Sequence, residues 1–237
     1  MQSLSRIFLA VSLSVICMGA ANADEVIFQD NFERAEKDDS REDVGNNWGT
    51  NSKSRAQGNK QVDLLDGTMH IVRHEVADHG VSVVQDLAFD DVVITMRFKI
   101  PKNGDLGINI ADMKEKSVHA GHICATKITP WNVEVTDLKT GRMHLPIRTA
   151  NKAGKLTAEQ KEWLKTKTNK VKNKLEPGQW HDLKVTITGD TMETSIDGEA
   201  VASFSSEGID HATKSRIRLA VNREATVDDI KVVRIGS

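Results

Sequence analysis

Alternation of apolar and polar residues with a period of two dominates this chain. Between residues 179 and 204, Leu183, Val185 and Ile187 alternate with Lys184, Thr186 and Thr188. After Gly189-Asp190, Met192, Thr194 and Ile196 alternate with Glu193, Ser195 and Asp197. A period of two puts each set on one face of an extended strand, so the stretch predicts a β-hairpin ending at Asp197-Gly198, a pair suited to positive φ. The pattern recurs at residues 62–65 and 69–72 around Asp66-Gly67, at 81–87, and at 92–100, where Pro101 ends the run. Leu106, Ile108 and Ile110 make another strand whose other side, Gly107, Asn109 and Ala111, is expected to be wet and open. Residues 119–128 and 131–138 pair through Thr129-Pro130, and 216–221 and 227–232 close the series.

Strands separated by turn signals predict an all-β fold, an antiparallel two-sheet jelly-roll sandwich. Residues 36–58 lack periodicity and read as a surface loop with Trp48 as its anchor. One stretch departs from the strand period. Thr157 is suited to cap a helix, with Gln160 three residues on, and Trp163, Leu164, Val171 and Leu175 follow at roughly helical spacing. Pro177-Gly178 stops the run, which predicts one lysine-rich helical insertion over about residues 152–176.

Several short motifs carry a resemblance. Glu176-Pro177-Gly178-Gln179-Trp180-His181, the strand end Val185-x-Ile187-x-Gly189-Asp190 and Ile196-Asp197-Gly198 resemble the closing hairpin of secreted concanavalin-A-like sandwich domains. They are similar to the group called 3-keto-disaccharide hydrolases. Asp30-Asn31-Phe32-Glu33-Arg34 resembles the opening of such domains, and residues 227–232 their last strand. The resemblance implies a concanavalin-A-like fold, a saccharide partner and cleavage of 3-keto-disaccharides or related glycosides. A 3-keto group acidifies the neighbouring C–H, so one base can start elimination, helped by a donor to the developing enolate oxygen.

Residues 1–23 read as an export signal: Arg6 supplies the positive end, residues 7–17 the apolar core and Ala21-Asn22-Ala23 the cleavage site. A run of about a dozen apolar residues is too short to cross a hydrocarbon layer of about 30 Å. Cys17 follows Ile16, where a lipoprotein signal wants a small residue. The expectation is a secreted or periplasmic single domain, residues 24–237, with Cys124 left unpaired and buried. A net charge of −2 gives no overall attraction to nucleic acid. The charge is uneven, however: residues 139–176 hold eleven Lys or Arg against three Glu. That run is either a solvated face or a grip on an anionic polymer through Lys165, Lys170 and Lys172.

Candidate chemistry is sparse. No nucleophile elbow, zinc-binding His-Glu-x-x-His helix or phosphate loop occurs. The E-x-D-x-x-E strand of laminarinase-type glycosidases is also missing. His119 and His122 lie three apart, opposite in a straight strand and together only if Gly121 bends it. Glu134 shares a face with Thr136, and Asp137 belongs to the other. With the resemblance, His119, His122, Glu134 and Asp137 are the catalytic candidates, and Trp131, Asn109 and Lys127 the substrate-binding ones. No motif fixes a cofactor; a structural Ca²⁺ at Asp30 and Asp229 stands beside the alternative of turn and capping roles. Four Trp and no Tyr leave few stacking platforms for a purely glycan-binding module, with Trp131 the best.

Overall fold

The computed structural model describes residues 23–38 and 40–236. The expected export signal therefore lies outside the described residues, apart from Ala23. In chain order the strands are β1 (Glu25–Asp30), β2 (Gly49–Thr50), β3 (Val62–Leu65), β4 (Thr68–Val72), β5 (Val81–Phe89), β6 (Val92–Lys99), β7 (Leu106–Ala111) and β8 (His122–Thr129). They continue with β9 (Asn132–Asp137), β10 (Thr168–Lys172), β11 (Trp180–Thr188), β12 (Thr191–Ile196), β13 (Glu199–Ser205), β14 (Lys214–Val221) and β15 (Glu224–Arg234). Helices are short: α1 (Ser52–Arg55), α2 (Leu145–Lys152) and α3 (Ala158–Lys165). No helix among the described residues is long and apolar enough to cross a membrane.

Every strand pair is antiparallel, and two sheets result. One runs β13-β12-β11-β6-β15-β4-β3, with β1 also on β15; the other runs β10-β9-β8-β7-β14-β5-β2. The alternation predicts the buried faces. Val92, Ile94, Met96 and Phe98 of β6 and Leu183, Val185 and Ile187 of β11 face inward opposite Leu106, Ile108 and Ile110 of β7. Each such side chain removed from water contributes about 1.5–3 kcal/mol, so burial rather than cross-linking holds the sandwich. Two hydroxyls share the core: Thr194 Oγ1 donates to Thr126 Oγ1 at 2.8 Å across the sheets, so neither is left unpaired. Asp197 and Gly198 both take positive φ, 53° and 85°, in the tight turn their chemistry suggests.

The helical insertion is a misreading. Residues 145–172 form two short helices and the edge strand β10, so no single lysine-rich helix exists. The Thr157–Gln160 capping box is present and opens α3, but α3 ends at Lys165. Val171 lies on β10 and Leu175 reaches the core by its own loop, so the apparent 3.6-residue stripe joined two elements. Lys170 and Lys172 consequently belong to a strand and Lys165 to a helix, where it pairs with Glu162 at 2.7 Å. Lysines on an exposed sheet edge also discourage pairing with another chain.

Candidate active site

Register fixes which side chains share the outer face of the second sheet. Ala111 pairs with His122, Asn109 with Ala125 and Gly107 with Lys127; beyond them Ala125 faces Thr136 and Lys127 faces Glu134. On the other flank, β14 sets Arg216 beside Ala111 and Arg218 beside Asn109. The small residues of β7 form the floor of this face. They are buried rather than open: Asn109 is 7% exposed and Ala111 0%, in contrast to the wet surface the sequence suggests. Longer side chains on β8 and β14 rise on both sides and cover them.

His119 and His122 do come together, by a local bend. Residues 119–121 form a 3-10 turn in which Ala120 has φ 52° and Gly121 φ 70°. A side chain at Gly121 would also meet the Asp112 carbonyl oxygen at 2.3 Å, so the sequence needs glycine at the bend. The imidazole centroids lie 6.3 Å apart. The turn is held by Asp112 N donating to Gly121 O and His119 N donating to Met143 O. Leu145 N donates to Ser117 O, which ties the start of α2 to this loop and brings Arg148 toward the histidines.

The centre is a hydrogen-bonded group of three. Asn109 Oδ1 lies 2.8 Å from His122 Nδ1 and accepts from Arg218 Nη1 at 3.3 Å. Arg218 Nη1 lies 3.0 Å from His122 Nδ1 and 3.2 Å from Nε2, so the guanidinium and Asn109 Oδ1 compete for Nδ1 and the ring tautomer decides which of them it bonds. Burial pushes His122 down to about 3, helped by Arg218, His119, Arg142 and Arg148. Arg218 is itself lowered to about 10, by burial first and then by Arg216. His119 is exposed, and its pKa is also lowered, by partial desolvation and then by Arg148, Lys152, Arg218 and His79. The site is thus a cationic cluster around two neutral imidazoles.

The folded protein holds a proton on His122 far more weakly than the unfolded chain, whose imidazole titrates near 6.5. As pH falls through 6.5 the unfolded state takes up the proton first, so stability present above that pH is lost toward pH 3. His122→Gln is expected to shrink the drop in unfolding free energy between pH 6.5 and pH 4 by about 3 kcal/mol, read from urea titrations at both pH values.

The other predicted residues are dispersed. Glu134 is on the same outer face, flanked in register by Lys127 and Lys170, and accepts from Thr136 Oγ1 at 3.4 Å. Strand rise and spacing set it ~14 Å from His122 along the sheet, outside hydrogen-bond reach. Lys127 leans to Asp105 at 3.5 Å. Asp137 points into the core, 0% exposed, and accepts from Thr140 N and Oγ1, Ser206 Oγ and Gly208 N. With its oxygens engaged and no exposed surface, it takes no part in the histidine cluster. Trp131 is 51% exposed on the β8–β9 turn, away from the histidines. Cys124 is fully buried, and desolvation pushes its thiol up to about 12, as suits an inert core residue.

Asp30 and Asp229 sit on adjacent strands and line one surface cavity. Asp30, however, receives Arg34, Asn46, Trp48 and the Phe32 amide, all N–H donors. Calcium needs several free oxygens, and this donor-filled carboxylate does not fit it. No group of three or more His, Cys, Asp or Glu able to hold a metal occurs among the described residues. Arg218 is the residue that sequence reasoning passed over. Its outward position on β14 was legible; its place beside β7, 109 residues away, was not.

The model of the 3-keto-alpha-glucoside-1,2-lyase-like domain matches residues 38–234. The chain belongs to that family. No curated protein matches it in sequence. Among solved structures, the lyase-like chain resembles a GlcNAcα1-4Gal-releasing endo-β-galactosidase from Clostridium perfringens, with TM-score 0.58 and 8% identity over 93% of this chain. It spans 65% of that galactosidase. The laminarinase from Rhodothermus marinus gives 0.57 and 11% over 89% of this chain and 97% of its own. The endo-β-1,3-glucanase from Pyrococcus furiosus gives 0.52 and 13% over 90% and 96%. At such identities the structural likeness shows the fold alone, a concanavalin-A-like sandwich. Together with the family match it marks a carbohydrate-active sandwich domain related to glycoside hydrolases.

Proposed function

We propose that this lyase-like domain cleaves 3-keto-glycosides by eliminating the aglycone across C1 and C2, acting outside the cytoplasm after residues 1–23 are removed. The observation that carries the reading is the pairing of neutral imidazoles with the half-buried Arg218 on the outer face, where no pair of carboxylates accompanies them. Ordinary glycosidases need two carboxyls about 5–9 Å apart, an arrangement that Glu134 and the core-facing Asp137 do not supply. Elimination next to a ketone needs one base and one group to hold negative charge.

In this reading the C2 proton passes to a ring nitrogen of His119 and the electron pair moves onto the C3 oxygen, which Arg218 holds. Collapse of the enolate restores the C3 carbonyl, forms C1=C2 and breaks the C1–O bond; the departing oxygen takes a proton back. Water can then add across C1=C2, giving net hydrolysis. Basicity decides between the histidines. His122, at about 3, lies about 3.5 units below an ordinary imidazole, which removes about 5 kcal/mol of basicity. His122 and Asn109 therefore orient Arg218, while exposed His119 accepts the proton.

The test is to incubate residues 24–237 with a 3-keto-α-glucoside and with the parent disaccharide. Turnover of the ketone alone, slowed severalfold by deuterium at C2, supports the reading. Saccharide binding without turnover would instead indicate a binding module, and cleavage of both substrates with no isotope effect would exclude elimination.

A further inference from the structure

On the same face, beyond Glu134, an open cavity of about 820 Å³ is lined by Trp131, Asn132, Lys170, Lys172, Asn173 and Lys174. Residues from two separate readings of the sequence, the stacking tryptophan and the basic run, are here made neighbours. Hydrogen bonding across β9 and β10 sets Lys172 beside Asn132 and Lys170 beside Glu134. The Trp131 carbonyl accepts from Asn173 N, which draws the end of β10 against the β8–β9 turn. Trp131 presents its ring to solvent, being 51% exposed. Lys170, Lys172 and Lys174 are also exposed, and no carboxylate lies within ion-pair distance of any of them among the described residues. The Asn173 side-chain amide nitrogen is buried without a hydrogen-bond acceptor.

An aromatic platform and three cations together define a ligand. The ring stacks on the apolar face of a pyranose, and the ammonium groups need anionic substituents. Asn132 is four residues along β9 from Thr136 and two strands over from Asn109, so ~16 Å of sheet separates this cavity from the histidine centre. A disaccharide does not span that distance. We propose that the cavity is a subsite for an acidic oligosaccharide or polysaccharide, one bearing carboxylate or sulfate groups, whose chain runs along the sheet toward His119. This rests on the reading of the outer face as a saccharide site and adds the charge and length of its ligand.

Binding is measured without keto substrate, by affinity electrophoresis of residues 24–237 in gels containing polygalacturonate, dextran sulfate or neutral dextran. Retardation by one or both acidic polymers and none by dextran is expected, the two acidic arms separating carboxylate from sulfate. Trp131→Ala, which changes no charge, and the triple variant K170Q/K172Q/K174Q should each lose at least about 10-fold in affinity, in the range of one lost stacking contact or of three lost cations. The triple variant K155Q/K161Q/K165Q, with the same charge change around α3, should be retarded like the parent. His119→Ala should keep the retardation, so loss of catalysis and loss of this subsite are read separately. Equal retardation by dextran, an unchanged W131A, or equal losses in both lysine variants would overturn the proposal and leave the β10 lysines as guards of a sheet edge.

Discussion

His119→Ala is expected to lower turnover of a 3-keto-α-glucoside by about 10²–10⁴-fold, the range for removing a positioned general base. The loss should fall on kcat, because an exposed imidazole at the edge of the cluster contributes little uniform binding. The pH profile adds a sign. His119 must be neutral to accept a proton, and its pKa is lowered by partial desolvation and by Arg148, Lys152 and Arg218. Activity should therefore hold at neutral pH and fall away only on the acid side of 6.5. Replacing Arg148 by Met removes one of the cations pressing on His119 and should move that acid limb toward higher pH. Arg218→Met should cost about 10²–10³-fold in kcat, as for other groups that hold a developing oxyanion, with Lys restoring part of it. Full turnover in His119→Ala with none in His122→Ala would reverse the roles of the two histidines.

Asp137→Ala should be the most destabilising single substitution in the sandwich, at about 3–5 kcal/mol by urea unfolding. Four donors converge on this buried carboxylate, and Lys167, itself only 6% exposed, lies 3.7 Å away. Removing the acid leaves a desolvated ammonium whose remaining carboxylate, Glu207, is 3.2 Å away but largely in water, with Ser206 Oγ and the Trp163 ring beside it. The group ties the end of β9 to the 139–141 turn, the start of β10 and the 206–208 loop, so its loss loosens the support beneath α3. Asp137→Ala combined with Lys167→Met should recover much of the stability, since the pair then leaves together. If the double variant is no better than the single, the hydrogen bonds rather than the buried charge carry the effect.

The sandwich was legible because its signal is local. From Val92 to Ile100 every second residue is apolar, and the Asp-Gly pairs at 66–67 and 197–198 dictate their turns through φ alone. β10 was not legible. Its five residues include one large apolar side chain, and Val171 and Leu175 fall four apart, which suits a helix as well as a strand followed by a loop. What separates the two is Lys167, drawn to a carboxylate thirty residues earlier, and the free edge of β9 that β10 completes.

For the site the division is sharper. The residue types were visible: two histidines around a glycine able to bend, an asparagine on a strand of small residues, and a tryptophan at a turn. The opposed facing of Glu134 and Asp137 was visible too, since one residue of register exchanges the two sides of a strand. Partnership was not visible. Arg218 joins Asn109 and His122 because β14 hydrogen-bonds to β7 across more than a hundred residues, and Arg148 acts on both histidines because α2 docks on the loop before β8. Alternation along a strand is written into neighbouring residues by covalent geometry, whereas the order of strands in a sheet is chosen by which distant apolar faces close one core. The sequence alone determined the layers and the faces; tertiary structure decided which charges meet on them.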